Sequence, residues 1–403
     1  MINLEEIKRA RENLKKGRLL ETPLSRSPLL SKLTGKEIFL KKDNLQITGS
    51  FKVRGAFNRI SNLTEEERNR GVVAASAGNH AQGVALSAQY FGIPATIVMP
   101  ENTPLTKING VRSYGAEVIL EGLFYDDAYK YALKYAKDRG NIFVHPFEDS
   151  DVIAGQGTVA LEVLEKIPHL DAIIVPIGGG GLISGVATAI KSINPNIKVI
   201  GVGASGAPAL KESFLTGEIV SKPVKTIADG IAVRDGSPVS LEYMKKYVDE
   251  VVSVDDEEIA SAILYLLEKQ KVVSEGAGAV GVAGVLHNKI DLSGLENIAI
   301  VVSGGNIDVT MLSVIIEKGL VKSNRKLKMI VTLIDKPGSL KQLTDIFDRE
   351  QANIVHIGYD RTTTEISYGD ANVTIHIETK GAEHQNQIAQ SLIESGFKFQ
   401  ITE

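Results

Sequence analysis

The chain has 403 residues, of which 43% are hydrophobic and 23% charged, with a formal net charge of -4. That length exceeds what one hydrophobic core organises, so two or three domains are expected, and the composition excludes a mainly disordered protein. With no cysteine there can be no disulfide, thiolate nucleophile or cysteine-bound zinc, and a slightly acidic chain without a basic patch is not expected to bind nucleic acid.

Residues 1–18 are charged and amphipathic. They lack the apolar segment of a signal peptide, and no later window has the length of a membrane span, so a cytoplasmic setting without a membrane partner is expected. The stretch Thr48-Gly49-Ser50-Phe51-Lys52-Val53-Arg54-Gly55-Ala56 opens a helix, with Ser50 as its cap and helical spacing over residues 51–60. A lysine beside the positive end of a helix is disfavoured. Lys52 is therefore either a solvated side chain or one with a chemical task.

From residue 70 onward short apolar runs alternate with helical stretches. Strands are predicted at 72–76, 95–99, 117–120, 142–145, 172–177, 198–202 and 298–303. Most are apolar throughout, as parallel strands covered on both faces are. The expected architecture is an open, doubly wound α/β sheet whose ligands sit beyond the carboxyl ends of its strands.

With the Lys52 stretch, three further strand-to-helix turns, at residues 76–83, 178–182 and 302–306, make four that carry polar or glycine-rich sequence. In Ser76-Ala77-Gly78-Asn79-His80, Ser76, Asn79 and unpaired N–H groups can hold a carboxylate or polar ring substituents. His80 reads as a general base or as a turn histidine satisfied by backbone. Gly178-Gly179-Gly180-Gly181-Leu182 suits a phosphate held by backbone N–H groups at a helix start, the alternative being a plain turn. The following strand, residues 198–203, has no carboxylate to grip a nicotinamide ribose, and the loop lacks the Gly-Lys-Ser/Thr ending of a nucleotide P-loop. A phosphorylated cofactor without a ribose fits better, and an amine such as Lys52 can form a Schiff base with a phosphorylated aldehyde. Glu275, in Ser274-Glu275-Gly276-Ala277, approaches a ring edge or caps the next helix. Ser303, in Ser303-Gly304-Gly305-Asn306, faces a ring nitrogen or caps the helix near Asp308.

Residues 321–327 read as a basic linker. Beyond them a strand at 329–334, a turn at Lys336-Pro337-Gly338, a helix to Glu350, strands around Ile354 and Val373, a helix near Ile388 and a last strand give the order βαββαβ of a ferredoxin-like module.

Taken together, these turns resemble those of the threonine dehydratases (threonine ammonia-lyases) among the tryptophan-synthase-β-like, fold type II pyridoxal-phosphate enzymes. The likeness covers residues 1–320, and residues 328–403 resemble an ACT domain. The resemblance implies a catalytic region of two open twisted α/β subdomains, a large one (about 1–70 and 152–320) and a small one (about 71–151). It implies pyridoxal 5'-phosphate as cofactor, Lys52 as the Schiff-base lysine, Phe51 on a ring face and Asn79 at the ring's 3'-oxygen. Gly178, Gly179, Gly180, Gly181 and Leu182 would hold the phosphate, Ser303 the ring nitrogen, and Ser76, Ala77, Gly78, Asn79 and His80 the substrate. The implied reaction is β-elimination of water from L-threonine, with L-serine also accepted, giving 2-oxobutanoate and ammonia. In it Lys52 takes the Cα proton and the cofactor phosphate protonates the departing hydroxyl.

Serine racemases are expected to carry a serine where this chain has Ala77, so efficient racemisation is not expected. Metal-binding relatives are expected to carry glutamate where this chain has Gly203, so no metal is expected. An effector amino acid, isoleucine or valine, would bind at Gly338, Ser339, Leu340 and Asn353, in a homotetramer or homodimer. Rival readings are an L-serine dehydratase or serine racemase, threonine synthase, a nicotinamide oxidoreductase, and a non-catalytic amino-acid-sensing protein.

Overall fold

Continuous apolar runs become buried parallel strands. A computed structural model describes residues 1–362 and 366–402, and the chain divides into two compact units, residues 1–307 and 308–403. In the first unit the strands in chain order are β1 (Leu24–Arg26), β2 (Glu37–Lys42), β3 (Val72–Ala75), β4 (Ala95–Met99), β5 (Glu117–Leu120), β6 (Ile142–Phe143), β7 (Ala172–Pro176), β8 (Lys198–Ala204), β9 (Glu250–Val254) and β10 (Asn297–Val302). They form a six-stranded sheet, β1-β2-β10-β7-β8-β9, and a four-stranded sheet, β5-β4-β3-β6. Every pairing is parallel except the short β1 on β2. In β3, β4 and β7 every residue is buried, as helices on both faces require.

One helix positions the site. Ser150–Lys166 packs between the helix that begins with Lys52 (Lys52–Ser61) and the helix that follows the glycine run (Gly181–Ile193). Its Gly155 lies where a Cβ would stand 2.6 Å from the Arg54 carbonyl oxygen, and its Gly157 where a Cβ would stand 2.8 Å from the Gly185 carbonyl oxygen. Backbones this close leave no room for a side chain. The lysine helix and the glycine-loop helix are thereby held at fixed distances on either side of one element.

Four fully or nearly buried charges sit at the same place. Arg54 donates to Asp43 (2.7 and 3.1 Å), Glu162 (2.5 and 2.9 Å), Thr158 (3.1 Å) and Thr22 (3.3 Å). Lys41 donates to Glu162 and to the Thr22 carbonyl at 2.6 Å. Burial works against ionised Asp43, but Arg54 and Lys41 outweigh it and hold the carboxyl below its ordinary range. Two cations and two anions cancel, and Arg54 has every arm of its guanidinium engaged.

The second unit contains helix Val309–Lys322 and strands β11 (Lys326–Ile334), β12 (Asn353–Asp360), β13 (Asp370–Glu378) and β14 (Lys398–Thr402). Their antiparallel order β12-β13-β11-β14, with helices Ser339–Arg349 and Ala382–Glu394, is that of a ferredoxin-like module. Instead of a linker over 321–327, the helix runs to Lys322 and β11 starts at Lys326, tied by the ion pair of Lys326 with Glu317 at 2.5 Å. The basic residues belong to a helix end and a strand start. The unit boundary accordingly falls before the helix, at residue 308.

Removing a partner from the buried charge cluster strands the others. Glu162→Ala is expected to lower stability by about 3–5 kcal/mol in urea unfolding followed by circular dichroism. Glu5→Ala, which breaks the exposed pair with Lys8, is expected to change it by less than about 1 kcal/mol.

Candidate active site

The four turns meet at the carboxyl ends of β3, β7 and β10. Lys52 begins its helix, and Ser50 does not cap it: no side-chain cap bond is made, and the Ser50 hydroxyl is buried without a partner among the described residues. The helix start is instead fastened by backbone. Phe51 N–H donates to the Ser303 carbonyl at 3.0 Å, and Ser50 pairs with Gly304 in an isolated bridge. This seats Lys52 beside Ser303 at the end of β10. The Lys52 ammonium lies 5.3 Å from the Phe51 ring centroid and donates to the Pro146 carbonyl at 2.9 Å. Burial lowers its pKa to about 8, with Glu275 pulling the other way. About a tenth of the amine is thus neutral at pH 7, far more than for an ordinary lysine.

The glycine run leads out of β7 into the helix Gly181–Ile193. Gly180 has φ +89°, which a side chain would strain. A Cβ on Gly178 would stand 2.6 Å from Ile231 Cα, and one on Gly179 would overlap the Phe147 ring. The Ser240 hydroxyl donates to the Gly179 carbonyl at 2.6 Å, turning that group away from the helix start. Among the described residues no backbone acceptor pairs with the N–H groups of Gly178, Gly179, Gly180, Gly181 or Leu182. Consecutive unpaired N–H groups at a helix N-terminus are the donor set for a phosphate.

Ser76, Ala77, Gly78 and Asn79 are half-buried at the end of β3. The Ser76 hydroxyl accepts from Gly78 N–H at 3.2 Å, and the helix Asn79–Phe91 begins without a side-chain cap. His80 is buried and points away from this loop, its Nε2 at 2.9 Å from the Val144 carbonyl. Because a carbonyl only accepts, Nε2 carries the hydrogen. Burial, reinforced by Lys52, lowers the His80 pKa to about 3, so its side chain is a neutral structural group and only its N–H faces the loop end.

Ser303 is buried, and it does not cap the next helix: the Asp308 side chain does, accepting from Thr310 N–H. Glu275 precedes helix Gly276–Leu286 without a side-chain cap bond. Its carboxylate turns into the cleft and accepts from Asn79 Nδ2 at 2.8 Å, which replaces the capping role. Sequence reasoning also passed over residues 145–148. Pro146 receives Lys52, Phe147 packs on the glycine run, and Glu148 accepts from Ser237 at 2.8 Å. Their signal was positional, since they follow β6 at the same edge of the sheet as the loop after β3.

In the second unit Gly338 has φ +92° and precedes helix Ser339–Arg349. Asn353 opens β12 and donates to Glu378 at 2.9 Å. Asn353 and Lys326 both register with Glu378, whereas Gly338 follows Ile334, which registers with Asp370. The two candidate effector groups therefore lie at opposite ends of the sheet, about 25 Å apart at ~3.4 Å per residue. They do not converge in one chain because the strand between them is nine residues long.

The pyridoxal-phosphate dependent enzyme family model matches residues 17–304. The chain is 53% identical over 404 aligned residues to the L-threonine ammonia-lyase of Thermotoga maritima, covering all of both chains. Among solved structures, threonine deaminase isoform 2 of Solanum lycopersicum is similar with TM-score 0.72 and 37% identity, over 78% of this chain and 89% of that one. Maize serine racemase has TM-score 0.74 and 37% identity, over 80% of this chain and 99% of that one.

His80 is expected to remain the neutral, Nε2-protonated tautomer from pH 5 to 8, which nitrogen NMR of labelled histidine can read. A ring that titrates in that range would contradict the assignment.

Proposed function

The chain belongs to the pyridoxal-phosphate dependent enzymes, and from that premise we propose that it is an L-threonine ammonia-lyase, converting L-threonine to 2-oxobutanoate and ammonia and accepting L-serine as a second substrate. The observation that carries this reading is the end-to-end likeness to the Thermotoga maritima enzyme. The geometry supports it through a half-buried, partly neutral Lys52 held at the Pro146 carbonyl, with Phe147, the next residue, packed on a loop of N–H groups that have no backbone acceptor among the described residues.

These residues fit pyridoxal 5'-phosphate. The N–H groups of Gly178 to Leu182 lack protein acceptors, and the Lys52 amine is desolvated. When bound, the cofactor supplies an electrophilic carbonyl and an electron sink. Lys52 would hold it covalently between turnovers and, once released by the incoming amino group, take the Cα proton of the substrate. Phe51 would cover a ring face, and the Ser303 hydroxyl would meet the ring nitrogen without supplying the charge a carboxylate would. The N–H groups that open the helix at Asn79 would bind the substrate carboxylate. The proton that Lys52 takes from Cα balances the one that the β-hydroxyl needs to leave as water, and the enamine product would hydrolyse with a second water to 2-oxobutanoate and ammonia.

The likeness to maize serine racemase keeps racemisation as a second reading. Ala77 weighs against it, because a methyl group has no proton to deliver to the opposite face of Cα. The second unit is read as an ACT domain that binds isoleucine or valine. Since Asn353 and Gly338 lie at opposite ends of one sheet, an effector touching both kinds of group needs a second copy of the chain, in keeping with a homodimer or homotetramer. A cytoplasmic location belongs to the same reading.

A keto-acid assay with L-threonine, L-serine and O-phosphohomoserine tests the activity. Wild type is expected to prefer threonine, and Lys52→Ala to lose about 10²–10⁴-fold or more. No keto acid from threonine, or D-serine formed as fast as ammonia from L-serine, would overturn the reading. Calorimetry with isoleucine and valine tests the second unit, and an absence of heat with both would remove the effector role.

A further inference from the structure

Asn306, Asn79 and Glu275 form a hydrogen-bonded chain whose polarity is set at one end. The Thr48 carbonyl can only accept, so the Asn306 atom 2.9 Å from it is the amide nitrogen. That same nitrogen meets Asn79, which must therefore present its oxygen. Asn79 is left with its nitrogen facing Glu275 Oε1 at 2.8 Å. Both Asn306 N–H groups are used in this arrangement. Asn79 keeps one N–H for a ligand.

The Glu275 carboxylate occupies a space that two glycines from separate segments keep open. A Cβ on Gly230 would stand 3.0 Å from Oε1, and one on Gly304 would overlap it. Burial raises the Glu275 pKa to about 7; the Asn79 bond, Lys107 and Lys52 oppose the rise, and Asp229 adds to it. His80, behind Asn79, is turned to Val144, and helix Gly276–Leu286 carries no titratable side chain. Lys52 lies near enough to be influenced by Glu275 but donates to Pro146.

We propose that Glu275 is a proton-exchanging positioning residue of the active site: acting through Asn79, its ionisation tunes the N–H that Asn79 offers to the cofactor and the field at the Lys52 amine. The anionic form draws on the Asn79 amide and stabilises a protonated Lys52. The neutral form leaves Asn79 a stronger donor to a ligand and lets Lys52 release its proton more readily. The inference rests on the proposed function for its placement beside the cofactor. The ionisation itself can be tested without cofactor.

The test compares Glu275→Gln, which keeps an oxygen for Asn79 but cannot ionise, with Glu275→Asp, which keeps a titrating carboxyl. In the cofactor-free protein the folded pKa of Glu275 lies above the unfolded value. The folded state then binds more protons between about pH 4.5 and 7, and wild type loses stability as pH rises through that window. The melting temperature of E275Q minus that of wild type is expected to widen across this window by about 2–4 °C and then level off. E275D is expected to retain a titration that E275Q lacks.

In the holoenzyme, the pH midpoint of the bound-cofactor absorbance and the limb of kcat/KM near neutrality are expected to move by about one unit in E275Q. Parallel melting curves for E275Q and wild type would overturn the proposal, as would unchanged pH midpoints in a holoenzyme that turns over threonine. A wild-type protein that takes up no cofactor would overturn the placement beside it and the proposed function together, whereas parallel melting curves with threonine activity intact would remove the role of Glu275 alone.

Discussion

Arg54 and its buried partners set the rotation of the helix that presents Lys52. At 3.6 residues per turn, residues two apart on a helix point about 200° apart, so driving Arg54 inward onto Asp43 and Glu162 turns Lys52 toward the cleft. A guanidinium with every arm engaged cannot tilt without abandoning a buried charge, which costs several kcal/mol. The acidic partners come from the segment after β2 and from helix Ser150–Lys166. The same cluster therefore joins β2 of the large sheet to the helix that spaces the site.

Glycine contacts set distance where the ion cluster sets angle. Gly155 against Arg54 and Gly157 against Gly185 bring three helix backbones to near contact. A methyl group at either position would push the Lys52 helix or the glycine loop outward. On the proposed function the site would tolerate little of this, because a reacting amine and a phosphate cradle must keep their separation to within a fraction of an ångström. Phe147 completes the spacing from the other side by filling the space over Gly179 and Gly181 while its neighbour Pro146 receives the Lys52 ammonium.

The strands buried on both faces were legible because burial demands unbroken apolar runs, and β3, β4, β7 and β10 stand within a residue of where such runs end. β1, β2 and β9 were not, since β1 has three residues and the other two mix charged with apolar positions. The four turns were readable as glycine and polar clusters at strand ends. Which side chain in each turn faces the cleft was not, because that depends on partners more than a hundred residues away. Ser50 had the composition of a cap but lies in a bridge to Gly304, and Glu275 had the position of a cap but answers to Asn79. The basic run at 321–327 looked like a linker because charge alone does not reveal that Lys326 already has a partner in Glu317.

Two groups of ionisable residues, one buried and one half-buried, lie near each other in this fold and behave in opposite ways. In the Arg54 cluster each charge has an opposite charge within hydrogen-bond reach, so Asp43 stays ionised despite burial. Around Lys52 the direct hydrogen-bond partners are instead neutral: a carbonyl for the lysine, an amide for Glu275. Desolvation outweighs their mutual attraction and moves both pKa values toward neutrality, Lys52 down to about 8 and Glu275 up to about 7. An amine and a carboxyl in that range can exchange protons at low cost, which a paired cluster cannot do. The fold thus pairs the charges that hold the Lys52 helix completely and leaves Lys52 and Glu275 without a directly bonded opposite charge.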